Sequence, residues 1–331
     1  MTASLVTLRP EEAETVLRAA LREVYGVDAW LDSWSAERFT THGRHPVMRY
    51  DLRVHVAGAS DVQHHQWVGK FYNRGEDARR AETILRALAG ADSLASGVVI
   101  TPRVVACDPA RALLLMTYED GSGLSSAIRQ HDGVALSAVA RALAALHATE
   151  DIVDDATSPA AVLDELRPRV VDLCDRFPDQ AASLQRRLVT LERETPRSPP
   201  LPSFLHGDFG PAQLLWRMGR IVVLDFDKCT RGDPALDLGN LLTQLRRITL
   251  RKPEKLPVAF ASLRTGILDA YRRWTSPDPG LDRRVAWYEQ TTLLRKIHGL
   301  AFDRTRHPEP EKILQRQAEA IRLLTLGSDS V

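Results

Sequence analysis

The spacing of hydrophobic residues along the chain changes from a helical to an alternating pattern. Between Pro10 and about Tyr25, apolar residues recur every three or four positions, which predicts an amphipathic helix with acidic residues in its first turn. Residues 36–40 and 47–56 alternate between apolar and polar, and residues 66–72 form a short apolar segment with one lysine in it. These three segments are predicted to be β-strands.

A second helix and two further strand segments follow. Residues 78–89 have helical spacing, and residues 98–100 and 112–118 are apolar strand candidates. Helix, strands, helix and strands in this order predict a small antiparallel sheet that carries one inserted helix.

From residue 122 onward the pattern is mainly helical, with prolines as the predicted points of interruption. Pro168 and Pro178 divide a long helical stretch from about residue 160 to 194, and residues 236–326 are helical between further prolines. The exception is a hairpin pattern over residues 214–224. We therefore predict an α+β protein of two lobes around a shared cleft: a small N-lobe, residues 1–118, and a larger, mainly helical C-lobe, residues 119–331.

Composition narrows the class of partner. The 331 residues contain 44 Lys+Arg and 43 Asp+Glu, a formal charge of +1. Such a chain has no overall field for nucleic acid or an anionic membrane, so neither is expected as a partner. The three cysteines lie far apart, no apolar run reaches membrane-spanning length, and charges occupy the N-terminus where a signal peptide would be apolar. We expect a cytoplasmic protein, as a monomer or homodimer.

The most informative segment runs from Phe204 to Asp227. Asp208 precedes the predicted hairpin, Gln213 enters its first strand, and Asp225 follows its second strand. Because a hairpin brings its two ends together, these side chains are expected to share one site. Magnesium prefers carboxylate and amide oxygens, so Asp225 and Gln213 suit a metal while Asp208 is left to orient a hydroxyl and accept its proton. Taken alone, His206-Gly207-Asp208 is equally consistent with a simple turn.

In sequence order, these residues resemble the aminoglycoside phosphotransferase and choline kinase-like small-molecule kinases, which have a protein kinase-like fold. The motifs are His206-Gly207-Asp208 with Gln213, Asp225-Phe226-Asp227, and Gly232-Asp233-Pro234-Ala235-Leu236-Asp237-Leu238. Upstream, Val68-Gly69-Lys70-Phe71 is similar to the family's lysine strand, and Met116 to Gly121 to its hinge. The resemblance spans about residues 30 to 325.

The resemblance implies an ATP- and Mg²⁺-dependent enzyme, with GTP not excluded, that transfers the γ-phosphoryl group to a hydroxyl of a small molecule. Asp208 would be the catalytic base or hydroxyl-orienting residue, and Gln213 and Asp225 would hold magnesium. Asp227 is either a further metal ligand or a loop acid. Asp233 and Asp237 are expected to brace the catalytic loop, and His206 to be a buried hydrogen-bonding residue.

For the nucleotide, the resemblance implies that Lys70 contacts the α- and β-phosphates. Glu82 is either its ion-pair partner or a surface group beside Arg79 and Arg80. The backbone of the hinge would hydrogen-bond adenine; its candidates are Met116, Thr117, Tyr118 and Glu119. The turn over residues 41–46 contains one glycine and is unlike a glycine-rich phosphate loop, although Arg44 there is a candidate phosphate contact.

Charge in the C-terminal region bears on the acceptor. Residues 241–331 contain 17 Lys+Arg against 10 Asp+Glu, which disfavours a polycation. A neutral or singly charged sugar, a nucleoside-like compound or an anionic metabolite fits this charge better, and a sugar, amino sugar or related metabolite is the expected acceptor. Candidate contacts are Asp269, Tyr271, Trp287, Tyr288, Glu289 and Asp303. Two alternatives stay open: a resistance kinase for aminoglycoside antibiotics, and a nucleotide-binding pseudokinase scaffold without turnover, which Gln213 in place of the family's usual Asn favours.

Overall fold

The secondary structure follows the spacing of the apolar residues closely. The computed structural model describes residues 8–40, 45–56, 58, 61–149, 152–197, 202–303 and 310–326. The helices of these residues are α1 (Pro10–Tyr25), α2 (Gly75–Ala89), α3 (Leu124–His147), α4 (Pro159–Arg176), α5 (Ala181–Arg193), α6 (Ala235–Arg251), α7 (Phe260–Arg272), α8 (Leu281–Phe302) and α9 (Pro310–Leu326). The strands are β1 (Trp30–Thr40), β2 (Val47–His55), β3 (Gln63–Phe71), β4 (Val99–Ile100), β5 (Val104–Asp108), β6 (Leu113–Thr117), β7 (Ser122–Gly123), β8 (Ser203–Leu205), β9 (Leu214–Arg217), β10 (Arg220–Val223) and β11 (Thr230–Gly232).

The chain divides into two units, the first of which holds the larger sheet. This unit comprises Met1–Gly90 and Thr101–Asp120, and its five strands lie in the order β1-β2-β3-β6-β5, all paired antiparallel. Helix α1 packs its apolar stripe, including Leu17 and Leu21, against sheet residues such as Trp67 and Leu115. This burial of one helix face on one sheet face is the arrangement that the amphipathic pattern predicts.

The second unit comprises Ala91–Ile100 and the residues from Gly121 onward, and it is mainly helical. Its four-stranded sheet has the order β4-β10-β9-β7, and β11 pairs with β8. The prediction that residues 98–100 join the N-terminal sheet is wrong, since β4 pairs in parallel with β10 through Val99 and Ile221. A partner so distant along the chain leaves no trace in local spacing.

Of the two prolines predicted to interrupt the long helical stretch, only Pro178 does so. Helix α4 ends at Arg176 and α5 begins at Ala181, whereas Pro168 lies inside α4. Pro168 is exposed, so the carbonyl that loses its helical hydrogen bond there can be hydrated instead. No helix in the described part of the chain combines the length and the apolar character that crossing a membrane requires.

Candidate active site

The backbone of the His206-Gly207-Asp208 loop, which follows β8, is held by helix α6. The N–H groups of His206 and Gly207 donate to the carboxylate of Asp237 at 2.7 and 2.9 Å. Asn240, on the same face of α6, donates its side-chain N–H to the carbonyl of Gly207 at 3.1 Å. The predicted bracing role of Asp237 is confirmed.

Asp237 is itself completely buried and has further polar contacts behind it. Nε2 of His147 lies 3.4 Å from the Asp237 carboxylate, and Nδ1 of His147 lies 2.7 Å from the hydroxyl of Tyr271. A buried carboxylate is tolerated only with such partners. The loop therefore rests on a hydrogen-bonded network that extends to helices α3 and α7.

Gly207 is required by both backbone conformation and space. Its φ is +78°, and a Cβ at this position would lie 2.1 Å from the carbonyl oxygen of Lys228. Other residues rarely adopt this φ, and none could occupy that space without moving the backbone around residue 228. The close approach brings the loop directly against the segment that follows the hairpin.

His206 links the loop to the end of the hairpin. Its Nε2 donates to the carbonyl of Leu224 at 2.9 Å, and its Nδ1 accepts from the N–H of Asp208 at 3.4 Å. The ring packs against Phe209 and Phe226, with centroid distances of 5.7 and 5.0 Å. His206 is thus buried and hydrogen-bonded, as predicted.

The hairpin brings Gln213 and Asp225 together along the backbone. Strands β9 and β10 pair Leu214 with Val223, and the N–H of Leu224 donates to the carbonyl of Gln213 at 2.9 Å. Asp225 then adopts a left-handed conformation, φ +66° and ψ +68°. Asp is one of the few residues that tolerate this region, and a non-glycine residue in it is typical of functional sites. Asp227 follows in a short 3₁₀ turn over Phe226–Lys228.

The side chain of Gln213 has the property that a metal ligand needs. Its Oε1 is buried and has no hydrogen-bond partner in the described part of the chain. An orphaned buried acceptor costs free energy unless a ligand satisfies it. No three His, Cys, Asp or Glu side chains of the described residues gather as a metal site. The chemistry of the two side chains, an amide oxygen at Gln213 and a carboxylate at Asp225, nevertheless fits magnesium, which takes oxygen ligands and completes its shell with water and phosphate.

Asp208 carries two ion pairs that the sequence analysis did not predict. Lys228 Nζ lies 3.0 Å from its Oδ2, and Lys296 Nζ lies 3.6 Å from its Oδ1. Burial alone would raise the pKa of Asp208, but the charges of Lys296 and Lys228 outweigh it and lower the pKa below its usual value. The carboxylate is therefore ionised at neutral pH. One feature of the sequence points to Lys296 as a functional residue: Arg295-Lys296 is a basic pair within the otherwise apolar run 293–297.

In the first unit, Lys70 lies on the sheet face opposite to α1. Along β3 the buried residues Trp67 and Phe71 belong to the α1 core, and alternation places Lys70 on the other face. It is paired across the sheet with Leu114, which is in turn paired with Cys107 of β5. Its Nζ lies 5.2 Å from the centroid of the Tyr72 ring.

Glu82 reaches this same face from helix α2. Burial, and then the hydrogen bond to Glu82 and its charge, raise the pKa of Cys107 to about 12. Arg86 donates to Glu82 at 2.9 Å from one turn further along the helix. In this conformation Glu82 is paired with Arg86, so its ion pair with Lys70 stays a prediction.

The predicted hinge continues from the last strand of the sheet. The N–H of Thr117 donates to the carbonyl of Arg103 at 2.9 Å, and the N–H of Tyr118 donates to Gln66 at 3.0 Å. Met116 is paired on both sides, with Val68 and Val104. The N–H groups of Thr117 and Tyr118 are therefore already paired within the first unit, and the contact of the hinge with adenine stays a prediction.

The remaining candidates from the sequence are the phosphate contact Arg44 and the acceptor contacts. Residues 41–44, with Arg44, lie outside the described residues. Tyr271, Trp287 and Tyr288 were expected to contact the acceptor, but they are 3%, 4% and 1% exposed and pack inside the helical unit. Glu289 forms an ion pair with Arg264 at 3.0 Å, and Asp269 forms one with Arg272 at 2.9 Å.

Comparison with known proteins identifies the family. The sequence matches the phosphotransferase enzyme family over residues 51–288. Because this is well over half of the chain, the protein belongs to that family, and the prediction that it is a phosphotransferase enzyme is confirmed. A search of the curated proteins finds no match.

Solved structures of small-molecule phosphotransferases share the fold over nearly the whole chain. Macrolide 2'-phosphotransferase MphH from Brachybacterium faecium is 20% identical, with 92% of this chain and 97% of that chain covered and a TM-score of 0.58. Aminoglycoside phosphotransferase APH(2'')-Ib, ADP-bound, is 15% identical, with 96% and 97% covered and a TM-score of 0.59. Amicoumacin kinase hAmiN in complex with AMP-PNP, Ca²⁺ and Ami is 14% identical, with 95% and 93% covered and a TM-score of 0.59. The predicted fold class is confirmed.

Proposed function

We propose that this protein transfers the γ-phosphoryl group of ATP, with Mg²⁺, to a hydroxyl of a small molecule. The observation that carries the proposal is the ionised Asp208 in a loop tied through His206 and Leu224 to the segment with Gln213 and Asp225. A base, an orphaned amide oxygen and a carboxylate on one braced framework are what phosphoryl transfer requires.

Gln213 and Asp225 are the proposed magnesium ligands, with Asp227 as a further one. Bound there, magnesium neutralises charge on the phosphate oxygens. Lys70 is the proposed contact of the α- and β-phosphates, Glu82 its partner, and Met116 to Glu119 the adenine-binding segment. The relatives crystallised with ADP or with AMP-PNP and Ca²⁺ support a nucleotide and a divalent ion here.

Asp208 accepts a hydrogen bond from the acceptor hydroxyl and aims its oxygen at the γ-phosphorus. As the new O–P bond forms, the bond between the γ-phosphorus and the β–γ bridging oxygen breaks, its electron pair leaves with ADP, and the hydroxyl proton passes to Asp208. The lowered pKa makes Asp208 a weak base. This suits a loose transition state, in which orientation matters more than early proton abstraction.

The test is a screen of hydroxylated metabolites and antibiotics with ATP and MgCl₂, read out by mass spectrometry for products heavier by one phosphoryl group. We expect at least one phosphorylated product, and its loss in Asp208→Ala with nucleotide affinity, measured by titration calorimetry, retained. Products confined to aminoglycosides would identify a resistance kinase. Nucleotide binding without any product would identify the pseudokinase alternative and refute the proposal.

A further inference from the structure

The surroundings of Asp208 are cationic beyond the two lysines that touch it. Burial lowers the pKa of Lys296, Asp208 raises it, and Lys228, Arg247 and Arg295 lower it further, so all three cations act on Lys296. Arg247 lies on α6 and Arg295 on α8, one residue before Lys296. The positive charge near the catalytic loop thus comes from several elements of the second unit.

A cavity of about 170 Å³ opens between the catalytic loop and this cationic region. Its walls include Pro211 and Ala212 of the loop, Gln244, Arg247 and Arg251 of α6, and Glu319 of α9. Pro211 is three residues beyond Asp208, so the two are at most about 11 Å apart along the chain. This distance is within the length of a small hydroxylated molecule.

A side chain in the wall of the cavity carries a donor without an acceptor. Nε2 of Gln244 is buried and has no hydrogen-bond partner in the described ranges. It is pressed against the catalytic loop, since a Cβ on Gly210 would lie 2.1 Å from it. A buried N–H group of this kind calls for an acceptor oxygen, which a ligand would supply.

The charged groups of the cavity are unbalanced. Arg247 donates through Nε and Nη2 to the same oxygen of Glu319, at 3.1 and 2.7 Å. Arg251 Nη1 lies 3.5 Å from the other oxygen of that carboxylate. One carboxylate thus serves two guanidinium groups, which leaves the cavity positive and fixes the orientation of Arg247.

We propose that the acceptor is anionic: a hydroxylated small molecule whose carboxylate or phosphate group is bound in this cavity by Arg247, Arg251 and the side-chain amide of Gln244. The inference rests on the proposed function, because it names the substrate class of the same site. The hydroxyl of such a molecule meets Asp208 while its anionic group faces the arginines. A polycationic acceptor would meet like charge and an unsatisfied donor.

The first experiment compares acceptors in pairs that differ in one charge: glycerate with glycerol, gluconate with glucose, and ribose 5-phosphate with ribose. Kanamycin represents the polycations. We expect kcat/KM for at least one anionic member to exceed that of its neutral partner by tenfold or more. The carboxylates and the sugar phosphate distinguish which anionic group is used. Preference for neutral sugars or kanamycin would overturn the inference and leave the proposed function standing.

The second experiment does not depend on turnover. Gluconate and inorganic phosphate, in the presence of excess ADP, should raise the Tm of the wild type and not that of Arg247→Gln. Arg247→Lys should retain part of the effect, and Arg273→Gln, an exposed arginine after α7, should retain all of it. For any active anionic acceptor, Arg247→Gln should raise KM about tenfold and leave kcat nearly unchanged.

Equal Tm shifts in the wild type and Arg247→Gln, or none in either, would refute the anion site. If no acceptor of the panel is phosphorylated, the proposed function is contradicted, and the Tm measurement decides the anion site separately.

Discussion

The N–H of Leu224 donates to the carbonyl oxygen of Gln213 at 2.9 Å. This bond extends the pairing of β9 and β10 by one step beyond Leu214 and Val223. It places Asp225 at the entrance of the hairpin, where the side-chain oxygen of Gln213 is buried and has no hydrogen-bond partner among the described residues. The two candidate metal ligands, Gln213 and Asp225, are therefore positioned by backbone pairing in the sheet.

Replacement of Gln213 by leucine should separate metal binding from stability. In metal-free protein the change removes an unsatisfied buried oxygen, which costs about 1–3 kcal/mol, so the free energy of unfolding should not fall. With MgCl₂ and a non-hydrolysable ATP analogue, the Tm of the wild type should rise and that of Gln213→Leu should not. Gln185→Leu, at an exposed position of α5, is the matched control. A less stable metal-free variant would show that the oxygen has a protein partner.

Alanine at Gly207 should be far more damaging than alanine at Gly219. Both glycines have positive φ, +78° and +85°, but only the Cβ at 207 would meet another atom within 4 Å. Gly219→Ala should cost about 1–2 kcal/mol of unfolding free energy from backbone strain alone. Gly207→Ala should cost more than about 3 kcal/mol, because the carbonyl of Lys228 must also move. Urea unfolding measures both, and equal losses would contradict the close approach.

Removal of Lys296 should shift the pH dependence of catalysis. Asp208 must be ionised to orient the hydroxyl, and its pKa is held down by Lys296 and Lys228 against the effect of burial. In Lys296→Met, the charge of Lys296 no longer opposes the effect of burial on Asp208. The pKa of Asp208 should therefore rise, and the acidic limb of the kcat/KM profile should move to higher pH. Lys255→Met, an exposed lysine after α6, should leave the profile in place. An unmoved acidic limb in Lys296→Met would remove Lys296 from the control of Asp208.

Asp237→Asn should weaken both the fold and catalysis. The carboxylate accepts from two backbone N–H groups, and an amide can offer them only one oxygen. We expect a loss of about 2–4 kcal/mol in urea unfolding and a lower kcat, because the loop with Asp208 loses its support. Asp269→Asn, whose exposed carboxylate is bound by Arg272 of the same helix, should cost less than about 0.5 kcal/mol. Similar losses at both positions would mean that Asp237 does not brace the loop.

The sequence pattern was sufficient to predict those elements whose structure depends on neighbouring residues alone. The bounds predicted for α1 agree with the observed helix, and the hairpin turns where Met218-Gly219 interrupts the alternation. Both depend on which face of a short segment is apolar, a property of neighbouring residues. For the same reason, the positions of Gln213 and Asp225 at the two ends of that hairpin could be predicted from the sequence, and their shared metal site with Asp208 beside it stays a prediction.

Contacts between segments that are distant along the chain could be identified only from the tertiary structure. Spacing could not show that β4 pairs with β10, that Lys228 and Lys296 meet Asp208, or that Glu82 is paired with Arg86. Nor could it separate the core aromatics Trp287 and Tyr288 from surface contacts. Packing brings such groups together from distant positions along the chain. The interaction energy between two charges depends on how far the folded protein excludes water from them, which local sequence does not determine.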